Sequence, residues 1–184
     1  MPNTSLKTDM LPSSLNNLKL LLSKNCEIEI KNYEREKESS NYNAALFDLG
    51  SKKAIFREAK ITPKKIGLFV TLWKRNKYEV TTPFHETDSI DVIIIEVKEL
   101  GRLGHFIFSK SILVKNGIIS TSTTVGKRGF RIYPPWVLAS NKQASQSQLW
   151  QSRYFFEQKR MTEDKKSYLR ELIKFDSKNN FSML

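Results

Sequence analysis

Cysteine is almost missing from this chain of 184 residues, which has Cys26 alone. A single thiol excludes an internal disulfide, and with only His85 and His105 as soft nitrogen ligands a zinc site is not expected. The simplest role for Cys26 is that of a small buried hydrophobe. Neither histidine has a triad partner at a suggestive position, which sets Ser/His catalysis aside. Long apolar runs are also lacking, since none approaches the ~20 residues that a membrane span needs. The first residues, MPNTSLKTDMLPSS, lack a charged n-region followed by an apolar stretch, so no secretory signal is expected. No internal repeat and no linker composition interrupts the chain. The expectation is one soluble cytoplasmic domain over residues 1–184, with its core at about 11–175 and a frayed tail at 176–184.

What the chain has in excess is positive charge. Hydrophobic residues make up 39% and charged residues 27%, ordinary for a globular domain, but the net charge is +12 and the pI about 9.8. A polyanion is the natural partner for such a chain. The charge is also segregated. Residues 61–77 hold five basic residues and no acid, and residues 100–160 hold ten basic residues with Glu157 as the one acid. Residues 79–99 between them hold six acids and one lysine. Such blocks favour a basic surface beside a more acidic patch over scattered solubilising charge.

Apolar periodicity gives an α/β order. Ser13 or Ser14 can cap a helix to about Ser23, with Leu15, Leu18, Leu21 and Leu22 on one stripe. Cys26, Ile28 and Ile30 alternate as a short edge strand, and residues 31–43 form a polar loop or exposed helix. Residues 45–49 and 54–61 pattern as a hairpin around Gly50, Ser51, Lys52 and Lys53. Thr62-Pro63 then predicts the start of an amphipathic helix carrying Ile66, Phe69, Val70 and Trp73, with Lys64 and Lys65 in its first turn. Cations are not favoured there by the helix dipole, which suggests a docking anion. DVIIIEV at 91–97 is apolar enough for a central strand covered on both faces. A strand is expected at 104–110, a short helix at 109–115 ended by Asn116-Gly117, and another strand from Ile118-Ile119. Asn141 caps a glutamine-rich helix to about Gln158, and Thr162 opens a last helix with Tyr168, Leu169, Leu172 and Ile173. The pattern as a whole predicts a single α/β domain with a mixed β-sheet flanked by helices.

The hairpin carries the first candidate site: Asp48, Glu58 and Lys60. With a three-residue loop at 51–53, Asp48 would lie opposite Phe56 and diagonal to Glu58, roughly 7–8 Å apart on one face. Lys60, two residues on, would share that face. Asp48 and Glu58 could then hold Mg²⁺ or Mn²⁺, which would activate a water for phosphodiester hydrolysis, while Lys60 orients or deprotonates it. A fourth group could come from Glu36 or Glu38. A loop of even length would place Asp48 on the opposite face, and the three would then be solvent-facing charges. A competing set is Asp91 with Glu96-Val97-Lys98, where the simpler reading is strand-end charges at the surface.

The second strong feature is GKRGFRIYPPW at 126–136. Two glycines around Lys127 and Arg128 permit a tight turn facing an anion. Arg131 follows three residues on, and Tyr133 and Trp136 offer stacking surfaces. With Lys64, Lys65 and Lys110 these residues form a candidate phosphate-contacting set. Gln148 and Gln151 fall on the inner stripe of their helix, where glutamines usually satisfy buried backbone and otherwise could bond bases or sugars.

The acid on one strand and Glu58-Ala59-Lys60 on the next resemble the restriction-endonuclease-like PD-(D/E)xK nucleases, over about residues 36–97. From residue 36 to 156 the chain is similar to the MepB-like family. The resemblance rests on Glu38-Ser39 with Tyr42, on Ala59 to Gly67 (AKITPKKIG), and on Phe69-Val70 with Trp73-Lys74-Arg75. It continues through GHFIF at 104–108, GKRGFRIYP at 126–134 with Trp136, and Gln143-Ala144 with Gln148 and Trp150-Gln151. It implies a restriction-endonuclease-like fold and includes Lys60, whereas acids at 48 and 58 are not fixed features of the family. Three functions therefore stand at this point. The first is a nucleic-acid-binding protein of low sequence specificity for DNA or RNA. The others are a Mg²⁺- or Mn²⁺-dependent nuclease, and a module binding an acidic partner or a small anion through Lys127 and Arg128.

Overall fold

Alternating apolar residues dominate the centre of the chain, and they build a six-stranded mixed sheet. The structure, a computed structural model, describes residues 12–174. The expected tail at 176–184 and both ends of the expected core span, 11 and 175, lie outside the described residues. In chain order the elements are α1 (Ser13–Cys26), β1 (Ile30–Arg35), β2 (Ala45–Leu49), β3 (Lys52–Glu58), β4 (Lys60–Ile61), β5 (Leu68–Thr71), β6 (Trp73–Arg75), β7 (Thr81–Pro83), β8 (Val92–Glu99), β9 (Arg102–Ser109), α2 (Lys110–Lys115), β10 (Gly129–Ile132), α3 (Lys142–Gln151), β11 (Phe155–Glu157) and α4 (Glu163–Lys174). The large sheet has the order β1-β2-β3-β8-β9-β11. Its pairs are antiparallel except β3 and β8, which run parallel with Glu58 beside Glu96.

Period two decides which residue faces which layer. Phe47, Phe56, Ile94, Ile107 and Phe156 project to one face, where Leu15, Leu18, Leu21 and Leu22 of α1 and Leu169 and Ile173 of α4 cover them. Arg170 donates to the carbonyl of Asn25 at 2.7 Å, tying α4 to the end of α1. Ile55, Ile93, Ile95, Phe106 and Phe108 project to the other face. A small sheet of order β10-β5-β4 lies there, with Leu68, Val70, Phe130 and Ile132 turned inward. Each such side chain contributes about 1.5–3 kcal/mol on full burial. The expected α/β domain with a mixed sheet flanked by helices is what the chain forms.

Several local expectations are corrected. Residues 62–73 are not helical: residues 62–67 are turns and bends, and β5 and β6 follow. Leu68, Val70 and Leu72 are all buried while Phe69 and Thr71 are only partly so, which is period two, and Gly67 at φ +77° breaks a helical continuation. Cys26 ends α1 instead of opening a strand, although β1 is the expected sheet edge. Residues 118–119 are buried without forming a strand. The glutamine-rich helix is capped by Asn141 as expected, but it stops at Gln151, because Phe155 and Phe156 are drawn into β11. Its two inner glutamines serve the backbone. Gln151 accepts from Tyr133 N and donates to Arg131 O, and Gln148 donates to the carbonyls of Pro134 and Val137.

Gly104 on β9 makes room for the ring of Phe155, because a Cβ there would lie 2.2 Å from the ring's Cζ. Gly104→Ala is therefore expected to destabilise the fold by about 1–3 kcal/mol through overpacking. Urea denaturation of the purified variant checks this, and an unchanged midpoint would contradict it.

Candidate functional site

The turn between β2 and β3 contains two residues, 50 and 51, so that Leu49 pairs with Lys52 and Asp48 with Lys53. This even loop turns the side chain of Asp48 to the face of Leu46 and Ile55, away from Glu58. Asp48 pairs there with Lys53 at 2.6 Å and accepts from Asn32 at 2.6 Å. The hydrogen bond from Lys53, then that from Asn32, holds its carboxyl below the usual range. Asp48 and Glu58 thus do not converge. Among the described residues, no three histidine, cysteine, aspartate or glutamate side chains are grouped to hold a metal ion.

Glu58 belongs instead to a lateral row of charges on the α1 face. β3, β8 and β9 place Glu58, Glu96 and His105 side by side in register. Glu96 and His105 are both fully buried. Burial of a carboxylate demands counter-charge and hydrogen bonds. Lys98 Nζ lies 2.6 Å from Glu96 Oε1, while Oε2 receives His105 Nε2 at 3.1 Å and Asn17 Nδ2 at 3.3 Å. Lys60 pairs with Glu58 at 3.1 Å, and Asn43, which precedes β2, donates to the same carboxylate at 2.5 Å. Burial, the largest single influence, pushes the Glu58 carboxyl up. The bonds from Lys60 and Asn43 and the nearby charges of Lys60 and Lys98 together carry it below the usual value. The expectation of surface charges at 96 and 98 is corrected for Glu96, which the central strand carries inside.

The basic candidates divide into two groups. Lys64, Lys65, Lys127, Arg131 and Tyr133 line one cleft of about 650 Å³, together with Phe69, Asn141 and Ser147. No acid lines it. The lysines are exposed, but Arg131 is occupied: its Nη1 donates to the carbonyls of Gly67 at 3.0 Å and Ile66 at 3.2 Å, and its Nη2 to Thr62 Oγ1 at 2.6 Å. The ring of Tyr133 is buried and lies against Gly67, where a Cβ would meet it at 2.7 Å. Both residues fix the turn that presents Lys64 and Lys65. The other three candidates lie outside the cleft. Arg128 reaches Thr81 beside the β6–β7 hairpin, and Lys110 donates to the carbonyl of Asp88. Trp136 donates to Glu99 and stacks under Arg102, 4.4 Å from its ring centre.

Sequence patterning missed Phe69 as a cleft residue, because helical spacing put it on an inner stripe. The alternative signal was the alternation of Leu68, Val70 and Leu72, which turns Phe69 outward. The buried Glu96–His105 pair was missed for a similar reason: both sit at apolar-facing positions of strands whose other residues conceal them.

The Glu58 carboxyl sits below its ordinary value of 4.5, so its charged form stabilises the native state above that pH, and the contribution is lost as pH falls through the lowered value. Glu58→Gln is expected to lower stability at pH 7 by about 1 kcal/mol. The gap from the parent protein should close below pH 4.5. Thermal melts of both proteins across pH 3–7 test this, and a gap that does not vary with pH would contradict the assignment.

Comparison with known proteins places this architecture. The MepB-like family model matches residues 36–157, a span that holds both the charged row and the cleft. The crystal structure of MepB is similar over 82% of this chain and 99% of that one, with 33% identity and a TM-score of 0.71. No curated protein matches the chain. On sequence and fold together, the chain belongs to the MepB-like family.

Proposed function

We propose that this protein binds nucleic acid, DNA or RNA, through the basic cleft, with low sequence specificity and on a restriction-endonuclease-like core. The observation that carries the proposal is the convergence of Lys64 and Lys65 with Lys127 over a cleft that no acid lines. Lys127 is 62 positions from Lys65 in sequence, so the fold brings them together. All three lysines are exposed, and none is ion-paired with an acid among the described residues. Cations gathered this way meet phosphates without first having to break internal ion pairs, and they carry no base code.

The core reading rests on topology. β1, β2 and β3 form an antiparallel meander between α1 and the parallel strand β8, and β3 ends at Glu58, with Ala59 and then Lys60 of β4 directly after it. In a cleaving enzyme of this build a second acid on the neighbouring strand would face Glu58. Here the acid beside it is Glu96 on β8, fully buried and already held by Lys98 and His105. The amide of Asn43 meets Glu58 from the β2 side, and Asp48 is turned to the other face of the sheet. Glu58 and Glu96 are each neutralised by a lysine. These features favour binding over Mg²⁺- or Mn²⁺-dependent hydrolysis through Asp48, Glu58 and Lys60.

Anisotropy of labelled oligonucleotides should report binding that weakens steeply with added salt. Reversal of two cleft charges in Lys65→Glu/Lys127→Glu should cut affinity about tenfold or more, and it should lower the salt slope by about 0.7–0.9 for each phosphate that is no longer neutralised. Glu58→Gln should leave binding unchanged, and the oligonucleotide should stay intact with Mn²⁺ present. Cleavage that needs Mn²⁺ and disappears in Glu58→Gln would overturn the binding-only reading. Saturable binding of small anions with no affinity for oligonucleotides would favour the anion-binding module.

A further inference from the structure

The outward face of the small sheet has an organisation that phosphate binding alone does not require. Arg131, Phe69 and Lys60 are direct partners across β10, β5 and β4, so they form one row facing away from the core. Phe69 is half-buried, and its ring reaches across to Gly129 on β10, where a Cβ would meet Phe69 Cζ at 2.6 Å. The missing side chain is what lets an aromatic ring lie along the floor of the cleft. Ile66, 42% exposed, lines the same cleft. The result is an apolar patch of Phe69 and Ile66 in an otherwise polar cleft, flanked by Lys64, Lys65 and Lys127.

We infer that the cleft takes single-stranded nucleic acid, with a base stacked on Phe69 and the backbone phosphates held by the three lysines. The inference rests on the nucleic-acid-binding reading above and narrows it. An aromatic ring offers every base a π-face, so stacking adds affinity without sequence preference. A duplex keeps its bases stacked on one another and would leave Phe69 and Ile66 unused. The volume of about 650 Å³ also lies in the range of sites that enclose one small ligand, about 300–1,000 Å³, so it suits one or two nucleotides and not the breadth of a helix. Single-stranded DNA and RNA share this chemistry.

The experiment compares 12-nucleotide single strands of DNA and of RNA with duplexes of the same sequence, by anisotropy at low salt. The unaltered protein should bind at least one single strand about tenfold more tightly than its duplex. Phe69→Leu, which keeps an apolar side chain at the site, should weaken single-strand binding about fivefold or more. Phe69→Trp should retain it. Circular dichroism melts confirm that both variants fold. Equal or tighter duplex binding by the unaltered protein overturns the inference while leaving the proposed function in place, and so does a folded Phe69→Leu with full single-strand affinity. An absence of binding to every oligonucleotide overturns both.

Discussion

A carboxylate at the centre of the sheet with no access to water sets the terms for everything around it. Glu96 sits on the central strand β8, on the face that α1 covers. An isolated charge in that place would cost many kcal/mol, so each neighbouring element supplies compensation: Lys98 from β8 itself, His105 from β9 and Asn17 from α1. The parallel register of β3 and β8 sets Glu58 next to Glu96, and this second negative charge must be offset by Lys60 and Asn43. A shift of either strand by one residue would turn the carboxylates to the wrong face and leave their partners unmatched. The row therefore specifies pairing as much as it stabilises it.

A second fully buried charge follows the same logic on the opposite face. Arg57 is almost entirely enclosed and is matched by Glu36 and by the carbonyl of Phe56. Burial lowers its proton affinity, and the adjacent Glu36 carboxylate opposes that fall. Ion pairs of this kind draw β1, β2 and β3 into one unit. The turn at 62–67 is held in a similar way, by the guanidinium of Arg131 and the ring of Tyr133 reaching from β10 and its flank. Two residues whose types suggest ligand binding in the sequence thus support the platform, and they leave Lys64 and Lys65 to face outward.

Elements with one dominant period were legible. The leucines of α1, the apolar run of β8, the alternation of β9, the Asn141 cap and the stripe of α4 all read correctly, because burial imposes one pattern on each. Residues 62–73 did not, because Ile66, Phe69, Val70 and Trp73 suit a helix about as well as Leu68, Val70 and Leu72 suit a strand. Only packing against Phe130 and Ile132 decides between them. The candidate acid pair failed on a single residue of turn length, a quantity that hairpin sequence constrains weakly when Gly50, Ser51, Lys52 and Lys53 are all acceptable turn formers. The clustering of Lys64, Lys65 and Lys127 could be suspected from charge segregation. Its separation from Lys110 and Arg128 could not, since Lys110 opens α2 after β9 of the large sheet and Arg128 turns toward Thr81.

The two charged centres of the molecule differ in how their charge is held, and this difference separates the architecture from the proposed binding. In the row beneath α1 each cation has an acid within reach: Lys60 with Glu58, Lys98 with Glu96. Those charges cancel locally and project little field. The cleft gathers Lys64, Lys65 and Lys127 with no acid in its lining, at a site where low-dielectric walls strengthen the potential felt by an incoming anion. A net charge of +12 is thus distributed unevenly, and part of what no acid offsets is gathered in this cleft. A phosphate can occupy that part of the surface without displacing any interaction that the fold depends on, whereas at the row it would have to compete with a buried carboxylate for its own counter-ion.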